Sequence, residues 1–331
     1  MSAHARKKPQ RHAKADDAER SALLADALRG LAAPQKALPC KWLYDEAGAA
    51  LFGEITRLPE YYPTRTERRI LQDRAAEIGT AAGPGAAVVE FGSGDGEKAA
   101  ILLGGMPNPA AYVPVDIAPA WLDEASRKVA AVHPRVPVLP VLADFSRPFA
   151  LPRALGAARR VGFFPGSTIG NFTPSEASTF LERARRTLGD RALLVLGADL
   201  IKDRDVLIPA YDDAAGITAR FNLNLLARLN RVCGADFDLA AFRHCAKWND
   251  AEDRIEMHLI ARCSQTVTLA GRRFHLAAGE SIHTENSHKY DPEKLGRLFA
   301  ASGWVILASW TDPDRLFSVG LLHAPPETRP E

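Results

Sequence analysis

Apolar and polar positions follow two different rhythms along the chain. Between Ala86 and Asp199, short apolar runs alternate with longer amphipathic stretches. The runs are AVVEFG at 87–92, AYVPVD at 111–116, VPVLPVLADF at 136–145, RVGFFPG at 160–166 and ALLVLGAD at 192–199. Buried strands separated by helices at 96–105, 118–132 and 173–188 predict right-handed βαβ crossovers. The expected fold class is therefore α/β, with a doubly wound, mainly parallel sheet. Thr173 with Glu176 three residues on forms a capping-box signature that sets the start of the last helix.

The flanks read differently. Leu23, Leu24, Ala27, Leu28 and Leu31 recur at helical spacing and predict a short helix from Asp17 to about Leu31. Residues 39–70 read as helix, kink, helix, with Leu51, Phe52, Ile55 and Leu58 on one face before a break at Pro59. Thr64 and Glu67 repeat the capping-box signature, which predicts a helix start after Pro63 and leaves Tyr61 and Tyr62 in the loop ahead of it. Beyond Asp199 a helix is expected at about 213–232, then a polar loop. Alternating residues follow at 255–270 and 272–287, with turns at Ala270-Gly271 and Ala278-Gly279, the pattern of antiparallel strands. A helix at 291–302 and strands at 305–311 and 316–324 close the chain. The expected organisation is a sheet domain over 60–200 rejoined by 291–325, a smaller α+β lid or substrate domain from 21–59 and 200–290, and a disordered tail over 1–20. There is no internal repeat.

Composition narrows the function classes. The chain has 331 residues, 47% of them hydrophobic and 25% charged, an ordinary globular balance that needs no disulfides. A formal charge of +2 gives no field to draw in nucleic acid or an anionic membrane. Arg6, Lys7, Lys8 and Arg11 make the tail basic, but it has no apolar run to serve as a secretory leader or membrane span, and a solvated terminus is expected. Cys40, Cys233, Cys245 and Cys263 show no CxxC spacing, against a zinc ribbon or a secreted framework and in favour of a reducing cytoplasm. His283 and His288 are not spaced as two ligands on one helix face, so they are expected as solvated residues at a strand end and no metal is expected.

The most informative segment is Glu90-Phe91-Gly92-Ser93-Gly94-Asp95-Gly96, which follows a predicted strand and opens a predicted helix. Such glycines let the backbone turn tightly and approach a ligand. A phosphate-binding P-loop requires GK followed by Ser or Thr, whereas Glu97-Lys98-Ala99 stands here. Dinucleotide binding calls for GxGxxG, and this loop runs GxGxG. An acid at the strand end followed by GxGxG is instead the pattern of S-adenosylmethionine (SAM) methyltransferases. Asp116, at the end of the second strand, can accept both hydrogen bonds of a ribose diol, a role shared by several nucleoside-binding folds. Asp144 and Phe145, at the end of the third, can take an adenine amino group and stack on its ring. Lys98 can neutralise the methionine carboxylate. Taken singly, Asp116 and Asp144 read as well as helix caps and Phe145 as core; together, at carboxyl ends of consecutive strands, they favour the cofactor.

The chain resembles the histidine Nα-methyltransferases of ergothioneine biosynthesis from about Leu38 to Leu322. The markers are KWLYDE (41–46), ITRLPEYYPTRTE (55–67), EFGSGDGEK (90–98), FPGSTIGNF (164–172), KDRDVLIPAYDDAAGITARFN (202–222) and IHTENSHKY (282–290). The resemblance implies a class I, Rossmann-like SAM methyltransferase that trimethylates the α-amine of L-histidine to hercynine, as a cytoplasmic monomer without nucleic-acid or membrane partners. It implies a SAM site of Tyr44, Gly92, Lys98, Asp116, Asp144 and Phe145. Tyr61, Asn171 and Tyr211 would hold the amino and carboxylate groups of the substrate. Glu285 and Ser287 would address the imidazole, and Met257 and Phe52 would line the pocket. The N-terminal tail has no counterpart in the family, and the segment between the strands of the lid is less typical of it.

Methyl transfer from a sulfonium is an in-line displacement, so the residues mainly have to hold a neutral amine on the S–CH3 axis and exclude water. Tyr44 or Tyr61, through a water, would take the amine proton, and Asn171 would orient the amine. Competing structural readings make Glu285 a surface partner of Lys289, Tyr211 a packing residue under the 213–232 helix and Asn171 a turn residue. Two rival functions are a methyltransferase of the same fold acting on another amine and a SAM-binding module without turnover.

Overall fold

A computed structural model describes residues 8–326, and the chain divides into two compact units. The larger comprises Thr56–Ala210, Trp248–Ile255 and Asn286–Glu331; the smaller comprises Met1–Ile55, Tyr211–Lys247 and Glu256–Glu285. Residues 56–59, 200–210 with the short helix α7 (Arg204–Leu207), 248–255 and 286–290, expected in the lid, thus go with the sheet.

The larger unit is built on a seven-stranded sheet. Strands β1 (Ala87–Phe91), β2 (Ala111–Asp116), β3 (Val141–Leu142), β4 (Arg160–Phe164) and β5 (Leu193–Asp199) run parallel. Two late strands, β11 (Val305–Thr311) and β12 (Phe317–His323), join antiparallel, giving the order β11-β12-β5-β4-β1-β2-β3. The expected long strand over 136–145 is cut to β3 and a bridge from Val138 to Tyr112, because Pro137 and Pro140 bring no N–H to the ladder.

Alternation along the strands feeds two cores. Val88, Tyr112, Val161 and Val195 face α3 (Tyr62–Ala82), α4 (Glu97–Gly104) and α5 (Pro119–Val132), where Ile70, Leu71, Ile78, Leu102 and Val129 meet them. Val89, Val113, Phe164 and Leu194 face α6 (Pro174–Leu188) and α9 (Pro292–Ala301) through Phe180, Leu181 and Phe299. Helices on both faces of a mainly parallel sheet make the fold doubly wound, as expected. Thr173 and Glu176 form the full capping box of α6. The Thr64–Glu67 box does not form: α3 begins at Tyr62 with Tyr61 as N-cap, and Glu67 is turned into the protein.

In the smaller unit, α1 runs from Lys8 to Leu31, so residues 8–20 of the expected disordered tail are helical; residues 1–7 lie outside the described residues. Lysine, arginine and alanine are strong helix formers, which lets the helix begin well ahead of Asp17. Leu23, Ala27 and Leu31 are buried from it. Helices α2 (Glu46–Ile55) and α8 (Ile217–Cys233) follow, and the Arg228 guanidinium of α8 is buried over the Trp42 ring, bonded to the Trp42 carbonyl and to Glu19.

A three-stranded sheet in the order β10-β7-β6 contains β6 (Phe242–Asn249), β7 (Arg254–Ala261) and β10 (Ser281–His288). A hairpin of β8 (Gln265–Leu269) and β9 (Arg272–Leu276) turns at Ala270-Gly271, both at positive φ, as the expected turn requires. Strand β6 replaces the expected polar loop. Its inward positions include His244, a side chain that an apolar alternation search passes over.

Candidate active site

The sheet order reverses between β1 and β4, and in open α/β sheets this point, outside the carboxyl ends of the strands, receives ligands. The glycine loop leaves β1 there. Gly92 sits at φ 79° with the Phe145 ring 3.4 Å from where a Cβ would stand, and Gly96 at φ 74° brings the loop within 2.8 Å of α5 by the same measure. Gly92 therefore disfavours a side chain by conformation, and Gly96 by both conformation and space. Asp116 ends β2 with its carboxylate accepting from the Ser93 N–H at 3.0 Å and the Ala118 N–H at 2.9 Å. Burial pushes its pKa up against the pull of these N–H donors. The expected reading as a cap is thus also satisfied, since Asp116 pins the glycine loop to the start of α5. Glu90 is buried and bonded to the Tyr112 hydroxyl, and burial raises its pKa well above the ordinary range.

Asp144 accepts from the Ser146 N–H at 2.9 Å and lies 3.5 Å from the Arg147 guanidinium. Phe145 packs edge-on against Phe164 and Phe180 at 5.8 and 5.9 Å, which fixes its ring as a wall beside Gly92. Asn171 closes the short turn Thr168–Asn171 after β4. The turn is tight because a Cβ on Gly170 would come 2.7 Å from the His288 carbonyl.

Lys98 is not simply an open cation. Its ammonium is paired with the buried Glu67, whose Oε2 also accepts the Gly166 N–H at 2.8 Å. Glu67 therefore ties α3, α4 and the loop after β4 together, and this use explains why it leaves the capping box. Tyr61 is buried at the N-cap of α3.

At the end of β5 the larger unit carries a cluster that sequence reasoning missed. The Asp199 carboxylate is fully buried and accepts from the Tyr62 hydroxyl at 2.8 Å, from Lys202 Nζ at 2.6 Å and from Lys289 Nζ at 2.7 Å. Burial works to raise its pKa, and the two ammonium groups outweigh burial and hold it below the ordinary value. Lys202 is pushed down to about 8, by burial first and against the attraction of Asp199. Lys289 also donates to Ser287 Oγ at 2.7 Å. Lys289 is thus a buried residue. The signal available in the sequence was only the spacing Ser287-x-Lys289.

In the smaller unit, the rings of Tyr44 and Phe52 meet at 5.5 Å and both pack on Phe221. Tyr211 is buried, and its carbonyl accepts from His244 Nε2 at 2.8 Å while Asn222 donates to His244 Nδ1 at 2.9 Å. Those partners assign His244 the neutral Nε2–H tautomer. Met257 is buried on β7, with its carbonyl accepting from the Thr284 hydroxyl at 3.0 Å. Glu285 is part-buried on β10 and its carbonyl pairs with His283 Nε2 at 3.0 Å. The predicted residues thus fall as Gly92, Lys98, Asp116, Asp144, Phe145, Tyr61, Asn171 and Ser287 in the larger unit and Tyr44, Phe52, Tyr211, Met257 and Glu285 in the smaller.

Against the expectation of solvated residues, His288 is buried, while His283 is part-buried. His283 stacks on His258 with centroids 4.8 Å apart and planes at 15°. With Glu256, whose carboxylate lies 2.9 Å from His258 Nε2, the two histidines are the one group among the described residues with donor atoms close enough for a metal, all within 4.8 Å. Near-parallel rings send their in-plane lone pairs side by side instead of toward one point, which suits a packed pair and not a coordination centre. Burial, with the neighbouring His283, overrides the Glu256 hydrogen bond and pushes His258 down to about 4. An unfolded histidine takes its proton near 6.5, so this group's contribution is complete above that pH and is lost as pH falls toward 4. Denaturant unfolding at pH 7 and 4.5 should show wild type losing about 2 kcal/mol more than His258→Gln. Equal losses would show that His258 does not drive the acid limb.

No described helix is long and apolar enough to cross a membrane. A family model described as "Histidine-specific methyltransferase, SAM-dependent" matches residues 23–324. A histidine N-alpha-methyltransferase of Mycolicibacterium smegmatis is 45% identical over 93% of this chain and 96% of its own length. Its counterpart in Mycobacterium tuberculosis is 40% identical over 92% and 96%. The ergothioneine biosynthesis protein 1 of Neurospora crassa is 29% identical over 83% of this chain and 32% of its own.

Proposed function

The chain belongs to the family of SAM-dependent, histidine-specific methyltransferases, and from that premise we propose that it trimethylates the α-amine of L-histidine, giving hercynine for ergothioneine biosynthesis. The observation that carries the cofactor half of this reading is the glycine loop pinned by Asp116 beside the Phe145 ring, at the sheet's switch point. SAM, when bound, supplies the electrophilic methyl. Asp116 takes the ribose diol, Asp144 the adenine amino group, and Phe145 the adenine face. Lys98, with its charge balanced by Glu67, offers a remaining N–H to the methionine carboxylate. Tyr44 completes the cofactor set.

For the substrate, Asn171, Tyr61 and Tyr211 hold the amino and carboxylate groups, Glu285 and Ser287 the imidazole, and Phe52 and Met257 the apolar remainder. Tyr44 or Tyr61 receives the amine proton through a water before each transfer. Each methyl replaces a donor N–H with bulk and finally a fixed positive charge, which aromatic faces tolerate better than hydrogen-bond acceptors alone. The balanced charge supports a chain without a nucleic-acid or membrane partner, and the four unbridged cysteines support a cytoplasmic setting; we propose that it acts there as a monomer.

Incubation with SAM and each amino acid in turn, with products weighed by mass spectrometry, tests the reading. Histidine should gain three methyl groups with matching S-adenosylhomocysteine. Trimethylation of another amino acid in its place would assign the fold-mate activity, and SAM binding by calorimetry without turnover would reduce the chain to a binding module.

A further inference from the structure

An in-line transfer needs the donor's S–CH3 axis and the acceptor's lone pair in register, and an error of about 1 Å between them can cost about 100-fold in rate. In the larger unit the two are served by different segments. Lys98, on α4, is assigned to the carboxylate of the methionine arm, and Asn171, closing the turn after β4, is assigned to the amine. One oxygen joins those segments: Glu67 Oε2 accepts from the Lys98 ammonium and from the Gly166 N–H at 2.8 Å. The other oxygen, Oε1, is buried without a hydrogen-bond partner among the described residues, against Gly197 of β5, where a Cβ would clash with it. A fully buried carboxylate with one idle oxygen is a poor device for stability, since apolar packing of the same volume commonly serves as well. The loop that it grips is itself strained. Gly166 at φ 79° is followed by Ser167 at φ 56°, a left-handed conformation that a serine keeps only where its surroundings hold it. Glu67 holds Gly166, the Asp199 N–H donates to Ser167 Oγ at 2.9 Å, and the turn Thr168–Asn171 follows directly.

We propose that Glu67 is a positioning residue for the transfer step: its Oε2, shared between Lys98 and the Gly166 loop, sets the methionine arm of SAM in register with the side chain that orients the amine. This rests on Lys98 and Asn171 in the roles given them in the function proposed above. Lysine has a flexible stem of four carbons, so an ammonium without a fixed acceptor is a poor gauge of distance. Glu67 supplies that acceptor and binds the second segment through the same atom. Its loss lets α4 and the loop after β4 shift independently, which slows the reaction more than it weakens the hold on the nucleoside, whose partners Asp116, Asp144 and Phe145 lie on other segments.

The test compares Glu67→Met, Glu67→Gln, Lys98→Met and Asn171→Ala in the full chain. Single-turnover methyl transfer to L-histidine is measured, with calorimetry for S-adenosylhomocysteine and for methylthioadenosine, which has the nucleoside and no methionine carboxylate. Glu67→Met removes the acceptor at similar length and should slow transfer about 100-fold, with methylthioadenosine affinity within about twofold. Glu67→Gln keeps one carbonyl oxygen for the two donors and should recover most of the rate, to about fivefold below wild type. A parallel loss of methylthioadenosine affinity in Glu67→Met would make Glu67 a residue of the fold, and an unaltered transfer rate would remove it from the reaction; either overturns the proposal. Should Glu67→Met not fold, Glu67→Gln decides alone: slowing with methylthioadenosine binding intact is expected, and a wild-type rate overturns the proposal. If Lys98→Met weakens S-adenosylhomocysteine no more than methylthioadenosine, or Asn171→Ala transfers at the wild-type rate, the assigned roles fail and this inference with them. If both behave as assigned and Glu67→Met still transfers at the wild-type rate, the inference alone fails.

Discussion

Glu285→Ala is expected to lower kcat/KM for L-histidine by about 100-fold or more while leaving the SAM dissociation constant within about twofold. A carboxylate accepting an imidazole N–H makes a charge-assisted hydrogen bond of about 1.5–3 kcal/mol, and truncation leaves the ring N–H without an acceptor in a part-buried setting. Glu285→Gln keeps an acceptor oxygen and loses the charge, so it should fall between wild type and alanine. The change should appear chiefly in KM, since ring recognition acts in the ground state as well as in the transition state. Rates with an amino acid that lacks a ring N–H separate recognition from architecture, because they should be little altered by Glu285→Ala. Equal losses of histidine use and SAM affinity would assign Glu285 to the fold instead.

How far the sequence alone reached can be traced through a few residues. The parallel strands β1, β2, β4 and β5 were legible because each is buried on both faces and punctuated by an amphipathic helix, and β1 and β2 fall within a residue of their expected bounds. Capping signatures were less certain guides. Thr173 and Glu176 close on each other, whereas Thr64 and Glu67 do not, although the motif is the same. The difference is tertiary: Glu67 lies where the Gly166 N–H and the Lys98 ammonium converge, and Gly197, which lacks a Cβ, makes room for its carboxylate. No local pattern carries that information. Strand β6 was missed because it turns His244 inward and satisfies it through Asn222 and the Tyr211 carbonyl, partners distant in sequence. The Asp199 cluster was missed for the same reason. Its members come from α3, the end of β5, the segment after it and the end of β10, and a buried charge can be recognised as such only when its counter-charges are in place. The cofactor loop was the easier case, because glycine spacing and strand-end acids are local features.

The second large effect is expected at Asp116. Asp116→Ala should raise the SAM dissociation constant by about 100-fold or more, since two hydrogen bonds from a ribose diol to one carboxylate are lost together. The carboxylate has a second duty, however, in accepting the Ser93 and Ala118 N–H groups. Alanine therefore also frees the glycine loop, and part of the loss reflects disorder in the empty protein. Asp116→Asn separates the two contributions. Its amide oxygen keeps one of the two backbone N–H bonds, but its NH2 can accept neither from the other N–H nor from a hydroxyl, so SAM affinity should still fall about tenfold or more, with a smaller loss of stability than alanine causes. Burial raises the Asp116 pKa above the ordinary carboxylate value, so its protonation as pH falls should act like the asparagine variant and weaken SAM binding reversibly. Calorimetry at successively lower pH should show wild type converging on Asp116→Asn. If the variant binds SAM as tightly as wild type at neutral pH, the carboxylate holds the loop and not the ribose.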